Sequence, residues 1–294
     1  MTYSVVARDL RTGDLGVAAQ SRFLALGSLV CHARAGVGAV ATQALVNPTY
    51  GDRGLQLLAS GASPTAALDA LVAADELGYR RQACVIDSKG RTAAHSGTGC
   101  QHWAGHLVAD GVAVAGNMLV DRKVVESMLR AIEDTAEQPL PERLVAALEA
   151  GQAAGGDARG QQSAALLVVR SDGGYGGLSD RLVDLRVDDH SVPITELRRL
   201  LGLHRLYFLR PDEADLIEID QSLARQLAEL LEIATGVAIT GADLGAVWIA
   251  LDRWAGRENL EERMVRPGVI DRMVLTHLRT VVHKTDLSGR SRQP

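Results

Sequence analysis

The second residue of this chain has the makings of a catalytic pair by itself. Loss of Met1 ahead of a residue as small as Thr2 leaves a hydroxyl and a free α-amine on one residue. Such an amine titrates near ~7.7 to 8.0, so at neutral pH a useful fraction is unprotonated and can take the hydroxyl proton, directly or through a water. This is the threonine form of an activated nucleophile, suited to attack on an amide carbonyl. The attack needs donors for the developing oxyanion. The side-chain amides of Gln43 and Asn117, and the backbone N–H groups around Thr42, Gln43 and Ala44, are of the right type.

Other polar residues could bind substrate. In GGDARGQQS, residues 155–163, three glycines allow close backbone approach, and Asp157, Arg159 and Gln161 could orient a charged substrate. An arginine there suits a carboxylate held bidentately; the plain alternative is an internal Asp157–Arg159 pair in a polar loop. Ser163 is a further catalytic candidate, and Ser21, His32 and Asn47 are candidates for substrate contact. His95, Cys100, His102 and His106 follow the spacing H-x4-C-x-H-x3-H, which matches no common structural zinc pattern. A threonine nucleophile requires neither metal nor cofactor, and none is expected. Cys31 follows the apolar Leu29 and Val30 and reads as a small buried residue. The charges from Asp180 to His190 alternate in sign at strand spacing, as solvated faces and cross-strand ion pairs do.

Composition narrows the class. With 294 residues, 47% hydrophobic and 23% charged, the chain has room for one large domain and a small one. Aromatics make up only 3%, so packing falls to Ala, Val and Leu. A net charge of −5 without a dense Lys/Arg patch argues against a nucleic-acid partner. No basic segment leads into an apolar one at the N-terminus, and no apolar run reaches the ~18 residues of a membrane span; a cytoplasmic protein off the membrane is the expectation. Cys31, Cys84 and Cys100 fit reduced thiols rather than a disulfide framework.

The elements that must position these residues can be read from periodicity. Strands are expected from Thr2 to Arg8 and from Leu15 to Ser21 around a turn at residues 11–14, then over Val37–Gln43, Gln82–Asp87, Arg91–His95, Gly105–Val108 and Gly111–Gly116. Residues 54–60 look helical, Ser63-Pro64 caps a further helix, and helices follow from Asp121 and from Pro141 to about Gly151. Strand character returns through GGDARGQQSAALLVV and over Leu182–Val187. Such grouping predicts an α+β fold of antiparallel sheets with grouped helices. Polarity changes around residues 209–213, which sets domains of 1–210 and 211–294, the second helical; its tail from Ser288 to Pro294 reads as frayed.

Two resemblances add to this reading. Thr2, the hairpin and then Ala18-Ala19-Gln20-Ser21-Arg22 are similar to the opening of proteasome-type β subunits. Gln20 stands where those subunits carry an aspartate. No lysine matches their basic residue on the next strand, and Arg34 or His32 lies nearest to that place. More closely, MTYSVVARD, RAGVGAVATQALVNPTYG, AGNML, GGDARGQQSAALLVV and VDLRVDDH over residues 1 to about 210 resemble the family catalogued as domain of unknown function 1028, placed among N-terminal-nucleophile (Ntn) hydrolase folds. The resemblance implies a four-layer αββα sandwich of two antiparallel sheets, with the nucleophile at the mouth of the cleft between them. IDQSLARQLAELL and GADLGAVWIALDRWAGRENLEERM resemble the small all-α peptidoglycan-binding-like domain attached to such chains. Together these give a bacterial amidohydrolase acting on a small-molecule amide, the alternative being a non-catalytic protein that binds a ligand or cell-wall fragment. The small apolar residues and the helical appendage point to a homodimer.

Overall fold

The computed structural model describes residues 2–239 and 243–290, with side chains to 284. Met1, residues 240–242 and residues 291–294, the last four of the tail read as frayed, therefore lie outside the described residues. The chain divides into two compact units, 1–201 and 202–294.

In chain order the first unit begins β1 (Thr2–Arg8), β2 (Leu15–Ser21), a helical turn α1 (Gly27–Val30), β3 (Cys31–Arg34) and β4 (Gly38–Ala44). Helices α2 (Thr49–Ala59) and α3 (Pro64–Ala73) follow, then β5 (Arg81–Asp87), β6 (Thr92–Ser96), β7 (Gly105–Ala109) and β8 (Val112–Asn117). After α4 (Lys123–Asp134) and α5 (Leu140–Ala153) come β9 (Ser163–Val169), β10 (Arg181–Val187) and α6 (Pro193–Phe208).

Local chemistry explains several boundaries. The Asp9 carboxylate accepts the Arg11 N–H at 2.8 Å, and Gly13 takes φ 79°, so the β1–β2 hairpin turns where an L side chain would be strained. The Ser63 hydroxyl caps α3 by accepting the Ala66 N–H at 3.2 Å, with Pro64 in the first turn. Helix α2 begins earlier than expected, at Thr49, because the Asn47 Oδ1 accepts both the N–H and the hydroxyl of Thr49. Helix α6 is not among the elements expected from the sequence pattern.

All strand pairings are antiparallel. One sheet has six strands in the order β10-β9-β2-β1-β8-β7, the other four in the order β3-β4-β5-β6. Alternation along the strands separates three cores. Tyr3, Val5 and Ala7 of β1 pack with α4, α5 and α6 through Met128, Leu144 and Leu197. Val6, Val17, Ala19, Ala39, Ala41, Ala113 and Ala115 join the inner faces of the two sheets. On the four-stranded sheet's other face, Val40 and Val85 meet Leu55 of α2 and Leu68 and Leu71 of α3. The aromatic-poor composition is concentrated in the middle layer, where alanine lets the sheets approach closely.

The second unit is helical but not all-α, which corrects the expectation. β11 (Leu216–Glu218) and β12 (Val269–Asp271) pair antiparallel beside α7 (Gln221–Thr235), α8 (Leu244–Arg257) and α9 (Arg272–Arg290). Its core contains Leu227, Leu231, Leu251, Trp254 and Leu278. A buried ion pair, Arg263 with Asp271, fixes β12, and the Arg263 guanidinium also donates to the Leu206 carbonyl at 2.8 Å. Short strands of three residues carry too little alternation to be read from sequence.

The alanine layer gives a direct test. Ala113 is fully buried between the sheets, so Ala113→Leu should lower the free energy of unfolding by about 1–3 kcal/mol through overpacking. Chemical denaturation checks this, and an unchanged midpoint would contradict the close approach of the sheets.

Candidate active site

The antiparallel registers bring strand ends together. Thr2 opposes Asn117, Ser21 opposes Ser163, Gln43 opposes Gln82, and Gln82 opposes Ser96. At this end of the inter-sheet layer, alanine gives way to polar side chains, all of them pointing inward by the two-residue period of a strand.

Thr2 opens β1 and is 6% exposed, with its hydroxyl donating to the Ser21 hydroxyl at 3.2 Å. Its carbonyl accepts long contacts, 3.4 Å each, from the Gln43 and Asn117 amides. Both amides also donate to the Gln82 Oε1, at 2.8 and 2.9 Å. The orientation of Gln82 is fixed by what lies on its other side. Its Nε2 donates to the Gly116 carbonyl at 2.8 Å, the Ser96 hydroxyl at 2.8 Å and the Gly105 carbonyl at 3.2 Å. Backbone carbonyls only accept, so the nitrogen must face them and the oxygen must face Gln43 and Asn117. The consequence is that the Gln43 Oε1 is buried with no partner among the described residues.

A pocket of about 60 Å³ opens beside these groups. Thr2, Ser21 and Gln43 form its polar side, and Phe23, Leu26, Leu29, Val30 and Val46 its apolar wall. Two supports hold that wall. The Ser163 hydroxyl donates to the Phe23 carbonyl and accepts the Leu26 N–H at 3.2 Å. The Asp75 carboxylate accepts Arg81 Nε at 2.9 Å, Asn47 Nδ2 at 3.0 Å and the Leu77 N–H at 2.9 Å, while Arg81 also donates to the Leu45 carbonyl. This arrangement clamps the segment from Ala44 to Asn47. The Arg81 hydrogen bond, with help from Asn47 and the Leu77 N–H and against the effect of burial, holds the Asp75 carboxyl well below the usual carboxylate range.

The backbone turns sharply on both sides of the site. Ala44, directly after Gln43, has φ 69°, and Met118, directly after Asn117, has φ 52°. Both are left-handed positions held by non-glycine residues, a strain of about 1–3 kcal/mol each that clusters at functional sites.

Of the residues singled out in the sequence, Thr2, Ser21, Gln43 and Asn117 are brought together, and Ser163 supports the pocket without touching Thr2. Arg34 is not there: it is exposed and opposes Gly38, at the other end of β4 from Gln43. His32 is not there either. Its Nε2 lies 3.1 Å from the Leu29 carbonyl, and its ring packs against Gly51 of α2, where a Cβ would collide with it. Asn47 serves the Asp75 clamp and the start of α2. Asp157 forms the internal pair read as the plain alternative, binding the Arg22 and Arg159 N–H groups at 3.1 and 2.8 Å and the Arg159 guanidinium at 3.3 Å. The Gln161 carbonyl accepts from Arg22 at 3.3 Å. Gln20, fully buried, opposes Tyr3 and so projects to the face of β2 away from Ser21. Among the described residues no group of three or more His, Cys, Asp or Glu is placed to hold a metal, and no helix is long and apolar enough to cross a membrane.

Gln82 is the member that sequence reasoning missed. The available signal was alternation with Cys84 and Ile86, which puts Gln82 on the inner face, polar where the other two inner positions of the strand are apolar.

The fold is thus a mixed α/β arrangement of antiparallel sheets and helices whose polar end gathers a threonine, a serine and three amides. The model of a family of unknown function, DUF1028, matches residues 2–197. A protein of that family from Silicibacter pomeroyi, known from its crystal structure, shares 31% identity at a TM-score of 0.63 over 69% of this chain and 89% of that one. The chain belongs to this family. The ancestral β-subunit Anbu from Yersinia bercovieri is 12% identical at a TM-score of 0.33, over 68% of this chain and 93% of that one. No curated protein matches the chain.

Two outcomes follow from the geometry. Gln82→Leu removes the shared acceptor and strands two buried amides, so unfolding free energy should fall by about 1–3 kcal/mol for each amide left unsatisfied; denaturant titration would show it, and a loss below ~0.5 kcal/mol would contradict the network. For Asp75, a folded pKa below the unfolded value near ~3.9 stabilises the fold above that value, and the gain is lost as pH falls through the folded value. The stability advantage over Asp75→Asn should therefore be full at pH 7 and shrink below about pH 4, whereas a gap that widens in acid would be the wrong sign.

Proposed function

We propose that this protein is an Ntn-type amidohydrolase acting on a small-molecule amide, with Thr2 as nucleophile once Met1 is removed. The observation that carries the reading is the place of Thr2: first residue of β1, at the polar end of the layer between two sheets, with its hydroxyl on a pocket wall. The three cores, helix to sheet, sheet to sheet and sheet to helix, support an αββα reading of residues 1–201.

In the proposed reaction the free α-amine takes the Thr2 hydroxyl proton as Oγ1 bonds to the amide carbonyl carbon. The carbonyl oxygen becomes an oxyanion, and the Gln43 and Asn117 protons held loosely at 3.4 Å on the Thr2 carbonyl are available to it. Collapse breaks the C–N bond, and the amine passes its proton to the departing nitrogen. Water then adds to the ester, the Oγ1–C bond breaks, and the hydroxyl proton returns, releasing a carboxylic acid. Ser21 holds the hydroxyl in place, and the orphan Gln43 Oε1 offers an acceptor to the ammonium form of the amine or to a substrate N–H.

The test is the intact mass of the purified protein before and after a β-lactone probe. A mass lacking Met1, with one adduct mapped to Thr2 and abolished in Thr2→Ala, is the expected result, and labelling should rise with pH toward about 8 as the amine deprotonates. A protein that keeps Met1 and takes no adduct would sink the hydrolase reading and favour a binding protein that uses the same pocket.

A further inference from the structure

The turn at Ala44 has a cavity on each flank. Besides the apolar pocket, Ala44 lines a second cavity of about 180 Å³, together with Leu45, Arg80, Cys100, Gln101, Asn117 and Met118 among others. The two strained residues, Ala44 and Met118, both border it. Its polar character differs from that of the first pocket, and Arg80 is its single charged lining residue.

Arg80 and Arg81 are neighbours with opposite circumstances. Arg81 is buried and committed to Asp75 and the Leu45 carbonyl. Arg80 is exposed, and its guanidinium has no hydrogen bond or ion pair to any described residue. Its backbone, by contrast, is fixed on both sides: the N–H donates to the Leu77 carbonyl at 2.8 Å, and the carbonyl accepts the Leu45 N–H at 3.3 Å. A free cation on an anchored backbone, in a cavity without a carboxylate among its lining residues, is disposed to bind an anion.

We infer that the two cavities are the two subsites of one substrate, an N-acyl amino acid: its apolar acyl group enters the Phe23, Leu26 and Val30 pocket, and its carboxylate, on the amine side of the scissile bond, pairs with Arg80. This rests on the Thr2 reading above. Ala44 is common to both cavities, and Asn117 of the second opposes Thr2 across the β1–β8 pair, so the scissile carbonyl falls between them. The acyl pocket is small, and a longer chain would extend onto the exposed Phe23 and Leu24. The guanidinium fork matches a carboxylate bidentately, which a neutral carboxamide cannot reproduce.

Two experiments separate this inference from the hydrolase reading. The first compares hydrolysis of N-butanoylalanine and its C-terminal carboxamide by full-length mature protein. The acid should be preferred by about 10-fold, expressed in KM, from one charge-assisted contact. Arg80→Gln should collapse the preference toward one, and Arg80→Lys should restore part of it. No preference in the wild type, or a preference that survives Arg80→Gln, would overturn the subsite. The second uses binding alone. Cys31 and Cys84 are buried in the inter-sheet core, whereas Cys100 is half-buried and lines the cavity. In the Thr2→Ala protein, N-butanoylalanine should slow iodoacetamide alkylation of Cys100, and Arg80→Gln should remove that protection. Protection without hydrolysis by the wild type would uphold the subsite and reject the nucleophile; equal hydrolysis of both amides without protection would do the reverse.

Discussion

The polar end of the inter-sheet layer depends on the direction in which one buried side chain points. Gln82 belongs to the four-stranded sheet, yet its nitrogen donates to the Gly116 and Gly105 carbonyls of the six-stranded sheet. Its oxygen accepts from an amide of each sheet, Gln43 and Asn117. Buried amides are tolerated only when their groups are paired, so each of these bonds restricts the others. The sheets are joined here by hydrogen bonds and elsewhere by apolar contacts rich in alanine, and the Thr2 carbonyl rests on the same amides. A change that rotates Gln82 would move the backbone of the candidate nucleophile.

This fixed network also explains why strain accumulates around it. Strand β8 ends at its amide, Asn117, and β4 ends one residue past its own, at Ala44. The chain leaves both strands through left-handed residues, Ala44 and Met118. Such positions persist only where surroundings over-determine them. At Ala44 the surroundings are the Asp75–Arg81–Asn47 clamp; at Met118 they are the Gln101 carbonyl, which accepts its N–H at 3.0 Å, and Ala158, whose N–H donates to the Met118 carbonyl at 3.3 Å. The cavities on either side of Ala44 are the space those turns leave.

Much of the fold was legible because strand alternation is a local signal. Thr2–Arg8, Leu15–Ser21 and the Ser63-Pro64 cap can be read from residues near one another, and the structure has all three. The site was legible only in part, since residue type does not reveal partners. Gln43 and Asn117 stand out as amides, but the importance of Gln82, which fixes both, arises from pairing across strands. Sequence position alone puts His32 and Arg34 nearest to the place of a basic residue on the strand after Ser21. The hairpin register sends Arg34 to the far end of β4, and Gly51 leaves room for His32 on the helix side. The Asp157–Arg159 pair could be read from spacing as one of two alternatives, whereas the Asn47 side chain is used up by Asp75 and Thr49, partners that no sequence pattern announces.

The electrostatics of the Thr2 pocket bear on how a nucleophile there would be activated. The proteasome-like comparison would place a carboxylate near the threonine, but Gln20 holds that sequence position and projects to the opposite face of β2. Among the described residues no charged one lines the Thr2 pocket; its polar members are two hydroxyls and an amide. No carboxylate is among the residues that line this pocket, and the Gln43 Oε1 is a buried acceptor with no partner among the described residues. The one charged side chain that borders the turn's other cavity, Arg80, does not line the pocket that Thr2 lines, so the hydroxyls and amide there keep neutral company on their pocket wall.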